Sequence, residues 1–194
     1  ISQIEDFRKQ VNARFNIDLK DYYALHDWSV SNIADFWKAI WGFMAIKTSS
    51  DYTQIVDDES KMPGAKWFKG VQFNFAENLL RIQSDKPAIH FKGEDNPVRT
   101  FSYNELFDNV EKIASSLKKM GVQNGDRVVG FMPNIPETII AMLATTSIGA
   151  IWSSSSPDFG VKGLLDRFTQ IEPKVMFAAN GYFYKGKPFD SIIK

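Results

Sequence analysis

The sequence contains no cysteine and only two histidines among its 194 residues. Without thiols it cannot form a disulfide scaffold, a zinc site with thiolate ligands or a cysteine nucleophile. The two histidines, His26 and His90, lie far apart in the sequence, which argues against a histidine-rich metal site. We therefore expect these residues to bind no metal ion.

The chain also lacks an excess of either charge, since 23 basic and 23 acidic residues give a formal net charge of zero. A protein that binds nucleic acid through bulk electrostatics is expected to be clearly basic. The longest apolar stretch, 139–152, contains threonine and serine, and it is shorter than the ~18 residues of a membrane span. The first residues of the sequence lack the basic and apolar regions of a signal peptide. These absences predict a soluble, cytoplasmic protein without a nucleic-acid partner.

The first 85 residues are predicted to form a helical amino-terminal extension. Ser2 and Glu5 have the spacing of a capping box, and apolar side chains follow at helical intervals. Residues 47–64 contain clusters of polar, glycine and proline residues and are predicted to form an exposed loop. A second helix is expected near 33–45. Its predicted apolar face consists of Ile33, Trp37, Ile40, Trp41 and Met44.

Residues 86–194 have a different pattern, in which strands alternate with helices. A hairpin is predicted at 88–101 around the loop 93–97, followed by a helix that begins with a capping box at Ser102 and Glu105 and ends at Gly121. Apolar strands are then expected at 127–132, 150–152 and 174–179, separated by helices. Such βαβαβ units form a parallel sheet with right-handed crossovers. The predicted fold class is α/β, with a helical extension before part of a parallel-sheet subdomain.

Parallel sheets bind ligands at the carboxyl ends of their strands, so the loops 133–134, 153–156 and 180–187 are candidate sites. Residues 181–187 match the pattern G-x-x-x-x-G-K, but the next residue is Pro188, which lacks the hydroxyl and the N–H group that a phosphate-binding loop requires. We interpret the segment as a solvated turn. Its two lysines, Lys185 and Lys187, can attract phosphate as point charges.

The four serines at 153–156 do not form a recognisable nucleophile site. They lack the G-x-S-x-G pattern, and neither histidine is near them in the sequence. We expect small residues in a tight turn, with Ser156 as the cap of the following helix. Anion binding through backbone N–H groups at that helix start remains an alternative.

The two ends of the sequence suggest that the chain is part of a longer protein. The first residue is not methionine, and residues 191–194 resemble the first turn of a helix capped by Asp190. A sheet that stops at this point lacks a partner half. We therefore expect further chain to complete the fold.

Several segments resemble a known family. Residues 62–68 with 74–80, 152–160 and 166–175 are similar to acetoacetyl-CoA synthetases, and residues 126–129 and 132–137 resemble the broader adenylate-forming superfamily. The resemblance covers essentially the whole chain in the expected order. One departure is Ser155, where relatives often carry cysteine, and we expect this difference to alter packing and not chemistry.

The resemblance implies that residues 86–194 are part of the large adenylation domain of an acetoacetate–CoA ligase. Such an enzyme uses ATP, Mg²⁺ and CoA: acetoacetate attacks the α-phosphorus of ATP, pyrophosphate leaves, and the CoA thiol then displaces AMP. The resemblance implies a phosphate loop, a glutamate associated with magnesium, an aspartate that binds ribose and a lysine near the carboxyl terminus, and none of these motifs occurs in residues 1–194. We therefore expect no catalytic residue in this chain and no adenylation activity from it alone. The family also implies a role in fatty-acid and ketone-body metabolism.

The resemblance assigns one candidate site, for CoA. In acetyl-CoA synthetases, an aromatic-small-small turn and a basic loop after the next strand contact CoA, the latter at its 3′-phosphate. The matching positions are Trp152, Ser153, Ser154, Lys185 and Lys187. Because the second loop aligns only with a one-residue insertion, Tyr184 is an alternative there. The alternative interpretation is that both segments are ordinary surface loops.

Two other functions remain open from the sequence. The complete protein is either an acetoacetate–CoA ligase or another short-chain acyl-CoA synthetase, because the residues that select the acid lie downstream. A third hypothesis is a flavodoxin-like binding module without catalysis.

Overall fold

The computed structural model describes residues 2–94 and 97–191. Its contacts divide the chain into two compact units, Ile1–Phe73 and Asn74–Lys194. The division precedes the boundary predicted after residue 85 because the Asn74 side chain donates hydrogen bonds to the carbonyls of Thr146 (2.9 Å) and Ser147 (3.2 Å). Within the described ranges, no helix combines the length and apolar character needed to cross a membrane.

The first unit is a small helical assembly with one short hairpin. Ser2 caps the first helix by accepting from the Glu5 amide at 3.4 Å, whereas the Glu5 carboxylate binds the guanidinium of Arg8. The core contains Phe7, Val11, Leu25 and Ala39 from all three helices. Its elements are α1 (Gln3–Phe15), α2 (Tyr22–Ser31), α3 (Ile33–Phe43), β1 (Gln54–Val56) and β2 (Trp67–Lys69).

The buried face of α3 matches the prediction only in part: Ile40 packs against the core as expected. Trp37 and Met44 remain 42% and 44% exposed, whereas Phe36 and Phe43 pack in the core with α1 and α2. The helix is apolar on more than one side, so periodicity alone did not identify the side that contacts its neighbours.

The predicted loop 47–64 is also partly wrong, because β1 falls within it and pairs with β2 in antiparallel fashion. Strands of three residues are too short to show the alternation of apolar and polar residues that identifies a strand.

The second unit contains the predicted sheet. Strands β6, β5 and β7 lie side by side in that order and are all parallel, which confirms the α/β prediction. Val128 of β5 faces the core with α5 and α6, and Val129 faces Phe168 of α7. The unit comprises α4 (Phe75–Leu79), β3 (Pro87–Phe91), β4 (Arg99–Ser102), α5 (Tyr103–Lys119), β5 (Arg127–Phe131), α6 (Pro136–Ser147), β6 (Ile151–Ser155), α7 (Val161–Ile171), β7 (Val175–Ala178), β8 (Gly181–Tyr184) and β9 (Lys187–Asp190).

Local signals in this unit are confirmed. Ser102 Oγ accepts from the Glu105 amide at 3.1 Å, and the Glu105 carboxylate accepts from the Ser102 amide at 2.8 Å, so the capping box of α5 is complete. Gly121 follows α5 with a φ of +81°, the left-handed geometry that favours glycine after a helix. The β3–β4 hairpin is antiparallel, although residues 95 and 96 of its predicted loop lie outside the described residues.

The serine segment is a strand and not a loop. Ser153, Ser154 and Ser155 continue β6 because they pair in register with residues 129–131 of β5. The next helix begins at Val161 with Gly160 as its N-cap, so the prediction that Ser156 caps it was wrong. Ser156 Oγ instead donates to the Asp158 carboxylate at 2.9 Å, within a turn.

The predicted loop 180–187 is a β-hairpin. Strands β8 and β9 pair from Gly181↔Asp190 to Tyr184↔Lys187, so Asp190 is the last residue of a strand. The turn residues Lys185 and Gly186 have φ values of 52° and 70°, as in type I′ turns, whose twist matches that of paired strands. Residues 192–194, where a helix was predicted, lie outside the described residues.

Candidate functional site

The candidate site lies at the carboxyl edge of the parallel sheet. Phe131 at the end of β5 pairs with Ser155 of β6 and with Ala178 of β7. The segments that leave these three strands therefore start from one edge, as the strand–helix alternation predicted.

Two of these segments are in contact. Tyr182 of β8 has its pKa raised, first by partial burial and then by a hydrogen bond with the Asp158 carboxylate. Asp158 belongs to the turn after β6, so this bond joins the serine motif to the hairpin that carries the lysines. A tyrosine is protonated at physiological pH even at its ordinary pKa of about 10, so the phenol donates to the carboxylate there.

The hairpin turn is tied to a second hairpin, β3–β4. The two carboxylate oxygens of Glu94 accept from the amides of Lys185 (3.0 Å) and Gly186 (2.7 Å). The side chains of Lys185 and Lys187 are exposed, and the Lys185 ammonium lies 5.3 Å from the ring centroid of Tyr184. Two cations are thus presented to solvent at the tip of the hairpin.

Trp152 is held in the core of the sheet. Its ring centroid lies 6.1 Å from that of Phe177, and its indole covers Gly130, where a Cβ would lie 2.6 Å from Cη2. Ser154 is exposed, and Ser153, half-buried, is the intervening residue on β6. Successive side chains of a strand point to opposite faces of the sheet, so Trp152 and Ser154 share one face and Ser153 lies on the other.

A cavity of about 750 Å³ opens beside this edge, between the segment after β5, both hairpins and the segment after β7. An ion pair between Arg99 and Glu137 lies in its wall. Burial raises the pKa of Glu137, but the hydrogen bond and charge of Arg99 outweigh burial and hold it below its ordinary value. The pair therefore stays ionised at neutral pH.

The structure brings together the segments that carry the predicted residues, but it shows contacts that the sequence did not predict. Glu94 and Asp158 connect residues far apart in the chain, and neither has a local pattern that predicts its partner. In the sequence, Glu94 was distinguished only as part of the predicted hairpin loop 93–97, and that loop did not indicate which residues Glu94 would bind.

The chain matches two models of known protein families. The family model for 'AMP-binding enzyme' matches residues 76–191. The family model for 'Acetyl-coenzyme A synthetase N-terminus' matches residues 22–79. The first match alone covers more than half of the chain, so the chain belongs to the AMP-binding enzyme family. This membership argues against the flavodoxin-like module without catalysis.

Within that family the chain is similar to acetoacetyl-CoA synthetases. It is 44% identical to the enzyme of Macaca fascicularis over 96% of this chain and 28% of that protein. The solved structure of acetoacetyl-CoA synthetase from Streptomyces lividans matches with a TM-score of 0.91 and 37% identity, over 99% of this chain and 31% of that one. A malonamoyl-CoA synthetase of Penicillium aethiopicum is 36% identical over 96% of this chain and 27% of that protein. The chain thus spans less than a third of the length of these relatives.

Proposed function

We propose that the complete protein is an AMP-forming acid–thiol ligase for acetoacetate. It converts acetoacetate, ATP and CoA into acetoacetyl-CoA, AMP and pyrophosphate. The observation that supports this proposal is the similarity of nearly the whole chain, in sequence and in fold, to acetoacetyl-CoA synthetases. We further propose that the enzyme acts in the cytoplasm, in fatty-acid and ketone-body metabolism.

ATP and Mg²⁺ are proposed to bind to parts of the protein beyond this chain. Among residues 2–94 and 97–191, no group of three or more histidine or acidic side chains is placed to hold a metal ion. We assign no step of the adenylation reaction to the residues of this chain, because the phosphate loop and the other motifs of the superfamily do not occur among residues 1–194.

The activity is tested by measuring pyrophosphate release by the complete protein with acetoacetate, acetate, butyrate and malonamate. We expect kcat/KM to be highest for acetoacetate. The malonamoyl-CoA synthetase relative supports a second candidate function, a ligase for another short acid, and a preference for malonamate or butyrate would establish that function in place of the first.

We also propose that the carboxyl edge of the sheet contributes to the CoA site. Lys185 and Lys187 supply two exposed cations for the 3′-phosphate, and Trp152, Ser153 and Ser154 support the nucleotide from β6. The hydrogen bond between Asp158 and Tyr182 supports this proposal because it joins the β6 segment to the hairpin. Tyr184, next to the turn, remains the alternative contact in the hairpin.

Replacing Lys187 tests this site. In the complete protein we expect Lys187→Ala to raise KM for CoA about tenfold, equivalent to about 1.4 kcal/mol of binding free energy. Pyrophosphate release that depends on acetoacetate should not change, because it precedes the reaction with CoA. Lys112→Ala, which removes an exposed lysine on α5, is the matched control. An unchanged KM for CoA in Lys187→Ala would remove this lysine from the site.

A further inference from the structure

The turn between β8 and β9 is bound by a carboxylate from elsewhere in the same unit. Lys185 and Gly186 are consecutive residues with positive φ, and both of their amides donate to Glu94. Consecutive amides in such turns can form a concave site for an anion. Glu94 therefore occupies the backbone anion site of the turn, which leaves the lysine ammonium groups as the donors available to a ligand.

This contact limits the movement of the hairpin. Strands β8 and β9 have four residues each and form a separate two-stranded sheet, and an isolated pair of this size is marginally stable in water. Hydrogen bonds to a charged acceptor are stronger than those between neutral groups. The two bonds to Glu94 hold the β8–β9 turn, which is the end of the hairpin away from its connection to β7.

We propose that Glu94 is a positioning residue for CoA, which fixes the turn so that Lys185 and Lys187 meet the 3′-phosphate. The inference rests on the CoA site proposed above. Glu94 would touch no ligand atom and would act through the backbone of the turn. Its role thus differs from that of the lysines, which would contact the phosphate directly.

A second effect of Glu94 has the opposite sign, and this makes the inference testable. The negative charge of Glu94 repels a phosphate near the lysines. If charge were its only effect, removing Glu94 would lower KM for CoA. Loss of the two hydrogen bonds would raise KM instead, because the lysines would have to be ordered when CoA binds. We infer that positioning is the larger effect, since the exposed charges are screened by salt.

The experiment uses Glu94→Ala and Glu94→Gln in the complete protein, with Glu111→Ala as a control that removes an exposed glutamate from α5. We expect Glu94→Ala to raise KM for CoA about fivefold to tenfold, because ordering the turn again costs binding free energy. Glu94→Gln should have a smaller effect, since its amide oxygen still accepts one of the two bonds. Acetoacetate-dependent pyrophosphate release should not change in any variant.

Hydrogen exchange in the absence of CoA provides a readout that does not depend on the ligand. The amides of Lys185 and Gly186 should exchange faster in Glu94→Ala than in the unmodified protein and in Glu111→Ala. Unchanged exchange would show that the contact does not hold the turn. Faster exchange with an unchanged or lower KM for CoA would show that the turn is held without positioning the lysines. Either result would overturn the inference.

The double variant Glu94→Ala/Lys187→Ala separates this inference from the proposed site. If Glu94 acts through Lys187, the change in the binding free energy of CoA should be smaller in the double variant than the sum of the changes in the two single variants. Full additivity would contradict positioning through this lysine. If Lys187→Ala alone leaves KM unchanged, the proposed CoA site fails and this inference fails with it, whereas the exchange measurement still reports whether Glu94 holds the turn.

Discussion

Gly130 is the residue at which the central strand accommodates Trp152. A Cβ at this position would lie 2.6 Å from Cη2 and 2.7 Å from Cζ2 of the indole, closer than carbon atoms normally approach. We expect Gly130→Ala to lower the free energy of unfolding by about 1–3 kcal/mol, because the indole would have to move within a packed core. Denaturant unfolding measures this change.

The matched control is Gly163→Ala in α7, where the nearest atom to a new Cβ is the flexible end of Arg167 at 3.2 Å. Alanine is a better helix former than glycine, so this variant should gain about 0.5–1 kcal/mol. If Gly130→Ala proved as well tolerated as the control, the packing of Trp152 over the strand would not be as described.

A single residue also decided the interpretation of the G-x-x-x-x-G-K pattern. Pro188 argued against a phosphate loop, and the segment is a hairpin in which Pro188 pairs with Phe183. Gly186 was part of the pattern, but its role is to adopt a φ of 70° in the turn. Glycine adopts this conformation at little cost.

At the scale of elements, α5 illustrates how local chemistry sets a helix boundary. Both bonds of its capping box are present, so Ser102→Ala should destabilise the protein by about 1 kcal/mol. Ser115→Ala, on the exposed side of the same helix, should change stability by no more than about 0.5 kcal/mol. Thermal unfolding of both variants checks the prediction, and equal melting temperatures would show that the cap contributes little.

Elements that depend on partners were predicted less well than α5. Strand β6 was expected to end at residue 152, but it continues to Ser155 because β5 provides a partner for each serine. The serines have no apolar alternation that would extend the strand. Its length is therefore set by the neighbouring strand and not by its own residues.

At the scale of the whole molecule, the zero net charge limits how the protein attracts anionic ligands. A chain with 23 basic and 23 acidic residues gains no attraction for an anion from its total charge, so any attraction depends on how its charges are arranged. The exposed lysines of the β8–β9 turn are one such local arrangement. The same balance is the reason why composition argued against a nucleic-acid partner but did not identify a ligand.

The sequence by itself determined the order of helices and strands in the second unit as far as β7, the caps of α5 and the parallel direction of β5, β6 and β7. These features follow from periodicity and from bonds between residues close in the chain. The tertiary structure decided which face of α3 is buried, how far β6 extends and what binds the β8–β9 turn. Glu94 and Gly186 are 92 positions apart, and such contacts arise only when folding brings distant loops to one edge of a sheet.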